Sequence, residues 1–487
     1  MPTVMGWVRH LEAKIKAQAA YERPFNKRYR NEWVLPFIAA EYRQVYGDDA
    51  VKHAMSIAPP RSGVAAIGID ALTERLRIVE AVADPGGDGR RAAQIVNQAW
   101  EDSDLDVMHP EAHREALIGA RSWGFVSRER NGSRAVGSVE SARQCAGHRM
   151  QAPPYDTDAW MKIWTDEWDG GRRGLLVLPG QQFDLTEGTD ARPDPEDPEA
   201  PWTRWQISEP RPSHPYVPAF EFTHQPRILD DPQSEIERIQ TEVDIVDLIE
   251  GLMVFAGHFG AVPIRFAENL HVPRDPMDPT KPLLDRHGKP AIGFNPRADH
   301  LWVGSAALDK DGKPIPMRFG QFTPATLDGF VTWAEHAAGK IRSQTKVAST
   351  YYSLELKSHM SAELLKTDEA PMVRRLRAMG ERGPLGGSWR RFMRCMLEFE
   401  DPTLARKVRV RPLWEDPNTR IESAAVDAFG KAVAGGIGVR AAAQEFLGWS
   451  PTRAEAAAAE AEAAAADPMM ARLLRDAEEA ANAGLSA

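Results

Sequence analysis

The residues that could do chemistry come first. His109–Pro110–Glu111 spells H-x-E, the opening of a zinc-deaminase signature. That signature also needs a downstream P-C-x-x-C. The two cysteines, Cys145 and Cys395, stand far apart in no such motif, which excludes zinc sites of the Cys-rich type. His109 and His113 are four residues apart, a spacing that suits two ligands on one helix face, but no third ligand stands near them. The stretch reads instead as a helix start, with His109 at the N-cap and Pro110 in the first turn.

Gly436–Ile437–Gly438–Val439–Arg440–Ala441 fits the G-x-G-x-x-G/A dinucleotide fingerprint, which has meaning only between a strand and a helix. Here a helical segment, Glu422–Ala434, precedes it, so the glycines read as a helix cap and a turn. The surrounding Ala425–Gly448 is similar to a helix-turn-helix DNA reader, and sequence-specific DNA binding through residues 425–448 is the second functional reading. Its second helix offers Arg440, Gln444 and Glu445, fewer base- and phosphate-reading groups than a recognition helix normally carries. No G-x-x-x-x-G-K-[ST], H-E-x-x-H or G-x-S-x-G is present. Acid pairs such as Asp70/Glu74 and Glu242/Asp247 arise by chance in a chain with 70 acids. Trp160, Trp164 and Trp168 read as one helix face, for core or subunit contact. No catalytic residue is nominated, and neither an enzyme nor a metal or cofactor is expected.

The 487 residues correspond to about three domains' worth of chain. With 43% apolar and 27% charged residues, the proportions are those of a globular protein with a sizeable core. Against 70 acids stand 60 bases, a net charge of -10. That opposes a protein that coats nucleic acid with its whole surface, since phosphate affinity comes mainly from Lys and Arg. A local basic patch, or DNA handled without being gripped, remains compatible. Two isolated cysteines fit a reducing cytoplasm. Arg9, Glu12, Lys14 and Lys16 occupy the place where a signal peptide needs an apolar core. The longest apolar stretch, Gly251–Ile264, is broken by His258 and Pro263 and falls short of the ~20 residues that cross a bilayer. Neither secretion nor membrane insertion is expected.

Periodicity gives the elements. Aromatic spacings predict helices within residues 1–60. Further helices are predicted over Gly63–Val79, Ala92–Trp100, Pro110–Ala120 and Trp160–Trp168. Short strands are predicted at Gly124–Ser127, Gly174–Leu178 and Trp202–Ile207, and an exposed acidic loop at 187–201. From Asp231 a helix runs to about Ala256. Residues 231–258 hold seven acids and one base. Ile236, Ile239, Val243, Val246, Ile249 and Met253 form one apolar stripe, and Ile245, Leu248 and Leu252 a second, so this helix needs neighbours on two sides. A Pro-rich insert follows, with turns at Asp285–Gly288 and Asp309–Gly312 and strands at His300–Gly304 and Pro316–Phe319. A helix spans about Pro324–Arg342, and polar residues continue to Met360. Helix resumes at Ser361, breaks over Gly380–Gly387 and continues over Ser388–Glu398. Residues 421–448 read as helix, turn, helix, and the tail 452–487 as helix.

Several fragments, in this order, resemble the portal proteins of tailed bacteriophages, in particular the long-tailed, actinobacteriophage-like branch. They are Arg61–Val64 leading into Ile69–Leu76, then Glu115–Ala120, Pro215–Phe222, Ser234–Ile236, Leu413–Pro417, Asp427–Lys431 and Leu447–Pro451. One departure is Ser213–His214–Pro215, where related chains often carry glycine before the valine-proline strand. The resemblance implies an α+β, mainly helical portal fold with wing, stem, clip and crown, assembled as a ring of about twelve subunits. It implies a first wing part over 1–230, stem helices over 231–258 and 324–342, and a clip over 259–323 between them. A tunnel loop at 343–360, wing return helices over 361–430 and crown helices over 431–487 complete it. It implies no membrane, a place at the capsid vertex of the virion after assembly in the bacterial cytoplasm, and double-stranded DNA passing through the ring in packaging and ejection. The implied partners are the terminase large subunit, the head–tail adaptor, and the major capsid and scaffold proteins. On that reading Glu235, Glu242, Asp247 and Glu250 would repel DNA from the channel wall. Lys340, Lys346, Tyr351, Tyr352 and Lys357 would lie nearest the duplex.

Overall fold

The computed structural model describes residues 2–33, 35, 61–84, 86–129, 132, 134–150, 156–192, 203–261, 265–269, 274–278, 281, 283–284, 307–308, 311–321, 328–352, 362–418, 422–449 and 451–466. The fold is mixed helix and sheet, with helix the larger share. The chain divides into two compact units. The first takes residues 1–33, 63–241 and 340–487, the second residues 34–62 and 242–339. No described helix is long and apolar enough to cross a membrane.

The first unit opens with α1, Val4–Tyr29, whose Thr3 cap accepts from the Gly6 amide at 3.0 Å. Met5, Val8, Leu11 and Ile15 recur at helical spacing and are buried. They pack on one face of an antiparallel sheet made by β4 (Cys145–Arg149), β5 (Thr157–Thr165), β6 (Arg172–Leu178), β7 (Gln181–Arg192) and β8 (Thr203–Ile207). Ala159, Met161 and Ile163 of β5 point into that core, while Trp160 points into another with Trp123 and Cys145. The tryptophan series therefore lies on a strand, not on the predicted helix. A step of four residues keeps one face in both periods, 3.6 and 2.0, so the spacing cannot separate them. Trp168 falls in the turn after β5 and is 97% exposed.

Helix α2, Val64–Glu74, ends before the predicted Val79, and Ile78–Ala83 form β1 instead. α3 spans Gly87–Glu101 and α4 spans Leu105–Gly119. The N-cap of α4 is Asp104, so His109 sits inside the helix and not at its start, and Pro110 is interior as well. β2 (Arg121–Arg128) lies between β3 (Ala135–Ser141) and β10 (Ala219–Thr223), and the two-residue β9, Arg211–Pro212, pairs with β7. Helix α5 (Glu235–Ala261) begins in this unit and continues in the second.

Glu22 of α1 is buried beneath Gly119, held by Arg143 Nε at 3.1 Å. Burial, and then the neighbouring Glu115, push its carboxyl up to about 7. The folded state therefore holds this proton more tightly than the unfolded chain does. The associated stability is complete below the ordinary value of 4.5 and is lost as pH rises through about 7. Glu22→Gln should match the wild type in thermal stability at pH 5 and exceed it at pH 8. Equal melting curves at both values would contradict this assignment.

Later elements return to the same core. α6 spans Asp328–Thr345, α7 Ser349–Tyr352, α8 Ala362–Met379, α9 Pro384–Glu400 and α10 Pro402–Lys407. α9 begins at Pro384, earlier than the predicted Ser388, because Gly383 lets the chain turn tightly past Ala378 and Met379. β13, Val410–Trp414, pairs antiparallel with β1 in a register that sets Val82 against Arg411 and Ala81 against Pro412, and so joins segments far apart in sequence. The fully buried Trp389 of α9 stacks near Trp100, Phe222 and Phe392 at centroid distances of 5.1, 4.4 and 5.1 Å. Gly124 is required here, since a Cβ would stand 2.8 Å from Phe392 Cδ2. Chain order ends with α11 (Glu422–Ala434), α12 (Val439–Ala442), a π turn at Ala443–Leu447, and α13 (Pro451–Ala466).

The second unit holds α5 beyond residue 241, α6 up to residue 339, and the hairpin of β11 (Arg265–Glu268) with β12 (Arg318–Gln321). Leu308 and Pro314 form an antiparallel bridge, and of the predicted turn at Asp309–Gly312 only Asp311 and Gly312 lie among the described residues. The expected turn at Asp285–Gly288 and strand at His300–Gly304 lie outside the described residues.

Candidate functional site

The start of α5 is built from residues distant in sequence. Ser234 caps it, its Oγ accepting from the Ile236 amide at 3.1 Å. The Ser234 amide donates to Tyr21 Oη at 3.0 Å, and that hydroxyl donates to Glu237 at 2.6 Å. Glu235 is only 1% exposed. His224 Nε2 stands 3.0 Å from Glu235 Oε2. A carboxylate can only accept, so that ring nitrogen carries the hydrogen. Arg375 grips both carboxylate oxygens, Nη1 to Oε1 at 2.8 Å and Nη2 to Oε2 at 2.5 Å, and also donates to the Thr345 carbonyl. Burial works to raise the carboxyl, but His224 and Arg375 outweigh it and hold Glu235 at about 2. Burial lowers His224 in turn. This knot joins the first turn of α5, the last residue of α6, strand β10 and helix α8.

Glu235 therefore cannot line a channel, which corrects the sequence expectation. Asp247 is corrected as well. It is buried, and its Oδ1 accepts from the Ser62 amide at 2.8 Å and the Ser62 hydroxyl at 2.6 Å. Glu242 and Glu250 are half-buried on the same helix. Burial, and then Asp247, raise the Glu250 carboxyl. The stripe Ile236, Ile239, Val243, Val246 and Ile249 is the buried face of α5, as its spacing predicts.

At the end of α6, Lys340 and Lys346 are exposed. Lys346 takes a left-handed φ of 59° and its amide closes the helix on Arg342 O at 2.8 Å. Beyond it the chain packs into the first unit. The Ser349 amide and hydroxyl both donate to Asp368 Oδ2, at 2.6 and 2.8 Å. Tyr351 Oη accepts from Arg75 Nε at 3.2 Å, and Arg75 also pairs with the buried Glu369 at 2.8 Å. The Tyr352 hydroxyl is buried against Gly68, where a Cβ would stand 2.6 Å from it, and burial raises it to about 12. Both tyrosines are half-buried, with their hydroxyls turned to Arg75 and Gly68 of the first unit. Lys357 lies outside the described residues.

The histidine pair is structural. His113 Nδ1 bonds the Leu76 carbonyl at 2.9 Å, and its Nε2 accepts from Trp389 Nε1 at 2.8 Å. His109 Nε2 accepts from the Ile78 amide at 3.0 Å, and its Nδ1 bonds the Leu105 carbonyl at 2.8 Å. All four ring nitrogens are occupied, and burial takes His113 down to about 3. Among the described residues no group of three or more His, Cys, Asp or Glu could hold a metal ion. The G-x-G-x-x-A segment lies between two helices, with Gly436 at φ 92°, so the strand that the dinucleotide fingerprint needs is missing.

No family model matches the chain. It is similar to the portal protein of Mycobacterium phage D29, 23% identical over 380 residues that cover 75% of this chain and 72% of that protein. The likeness to phage portal proteins read from ordered fragments thus extends over three quarters of the sequence. Among solved structures, a chain in the virion of a native gene transfer agent particle matches with a TM-score of 0.38 and 9% identity. That match covers 79% of this chain and 88% of that one. A chain in the neck of a native gene transfer agent particle, computed with C12 symmetry, matches with a TM-score of 0.36 and 10% identity, covering 83% and 90%. Likenesses this low define neither fold nor assembly for this chain.

Proposed function

We propose that the chain is a portal subunit, one of about twelve in a ring at the capsid vertex through which DNA passes during packaging and ejection. The observation that carries this reading is the similarity to the D29 portal protein over most of both chains. In this reading residues 231–258 and 324–342 are the stem helices, residues 259–323 the clip that meets the terminase large subunit and then the head–tail adaptor, residues 343–360 a tunnel loop, and residues 1–230 and 361–430 the wing. Crown helices from about 431 complete the subunit, which also meets the major capsid and scaffold proteins. The ring is a scaffold rather than an enzyme.

The charge of α5 supports the reading physically. A duplex slides only where phosphates are not held, because each Lys or Arg contact adds salt-dependent affinity. With Glu235 and Asp247 withdrawn into the protein, Glu242 and Glu250 are the acids left for the channel wall, and Lys340 and Lys346 the bases. Glu242→Lys or Glu250→Lys should slow or block packaging of DNA into heads while rings still assemble. Packaging at the wild-type rate in both variants would show that these acids face neighbours.

A further inference from the structure

A basic ridge is formed by residues distant in sequence from the proposed channel residues. Between Pro402 and Trp414 the sequence holds four bases, Arg406, Lys407, Arg409 and Arg411, and no acid, in a chain whose net charge is -10. The last turn of α10 carries the first two, and the segment into β13 the others. Alternation fixes their direction: Val408, Val410 and Pro412 are buried, while Arg409 and Arg411 point outward. All four bases are exposed, and none of their side chains has an ion pair or hydrogen bond with any described residue.

Two acids at the margin, Asp401 and Glu80, are engaged elsewhere, while the exposed Asp84 follows Ala83, the register partner of Val410. Asp401 caps α10 through the Thr403 and Leu404 amides and meets Arg91 at 3.5 Å. Glu80 on β1 accepts from the Thr452 hydroxyl at 2.8 Å. The helix end itself accounts for Arg406 and Lys407, which complement its terminal carbonyls. It gives no reason for Arg409 and Arg411, which lie beyond the helix.

We infer that this ridge, Arg406, Lys407, Arg409 and Arg411, is a second, sequence-independent binding surface for the phosphate backbone of duplex DNA. Arginine forks bind phosphate in a bidentate way. Arg409 and Arg411 are one strand repeat apart, about 6.8 Å, so they can reach successive phosphates of one strand. An interface with an acidic protein would be expected to have an apolar or aromatic centre. No exposed large apolar side chain lies between Pro402 and Trp414. The inference takes only the supply of DNA from the portal reading, which ring imaging tests separately.

Covalently closed circular duplex has no end to thread through a preassembled ring, so its binding to closed rings reports on surfaces outside the channel. The full-length protein is expected to bind such circles with an affinity that falls steeply between about 50 and 200 mM salt. Replacing all four bases by Gln should weaken low-salt binding at least ~10-fold and flatten the log–log salt slope by about 3 to 4, near 0.9 per lost phosphate contact. Arg409→Gln/Arg411→Gln should flatten it by about 2, which keeps the test open if the quadruple variant does not fold. An unchanged slope in the folded variants would overturn the inference. So would wild-type protein that binds polyglutamate but not duplex.

Discussion

Arg375→Ala is expected to cost about 3–5 kcal/mol of stability, because it removes the bidentate partner of the buried Glu235 carboxylate and leaves it only His224, Gln225 at 3.2 Å and Arg238 at 3.8 Å. The loss should appear as a lower midpoint in denaturant and as early opening of the segments that meet at the knot. Arg375→Lys keeps the charge but loses the fork, and should fall between the two. The pH dependence has a definite sign. The folded Glu235 carboxyl is held at about 2, against an ordinary 4.5. Its contribution is therefore present above 4.5 and is lost as pH falls towards 2. The difference between wild type and Arg375→Ala should accordingly shrink on acidification. A constant difference, or a loss below about 1 kcal/mol, would show that water or another base replaces the guanidinium.

The second large effect belongs to Trp389. Trp389→Ala removes a fully buried side chain from contact with Trp100, Phe222 and Phe392, and leaves the Nε2 acceptor of His113 unpaired. The expected cost is about 3–5 kcal/mol for the cavity. Trp389→Phe keeps much of the packing and loses the hydrogen bond, for which about 1–3 kcal/mol is expected. Equal losses in the two variants would mean that the histidine contact, not the aromatic volume, holds this core together. Since α9 packs against β2, β3, β10 and β13, the Ala variant should perturb early and late parts of the chain together.

The ease of reading each part of the sequence depended on how local its cause was. The buried stripe of α5 was legible because Ile236, Ile239, Val243, Val246 and Ile249 repeat at helical spacing within one segment. The resemblance to phage portal proteins was legible as well, and the similarity to the D29 portal protein bears it out. Trp160, Trp164 and Trp168 misled because a step of four fits helix and strand alike. Strands β1 and β4 carried no clean alternation: Ala146 and Gly147 of β4 are both buried, for example. Glu235 was misplaced because its partners come from positions 224 and 375, and no spacing within the helix announces them. The contacts of Tyr351 and Tyr352 were hidden for the same reason, since Arg75 and Gly68 lie nearly three hundred residues earlier. Charge alone indicated the acidity of α5 but not which acids the fold consumes.

Electron micrographs of the purified full-length protein, with end-on views averaged without imposed symmetry, test the portal reading most directly. The expected result is a closed ring of about twelve subunits around an open central hole wide enough for duplex DNA. Particles that remain single subunits of 54.0 kDa under every assembly condition, including co-expression with scaffold, would contradict it.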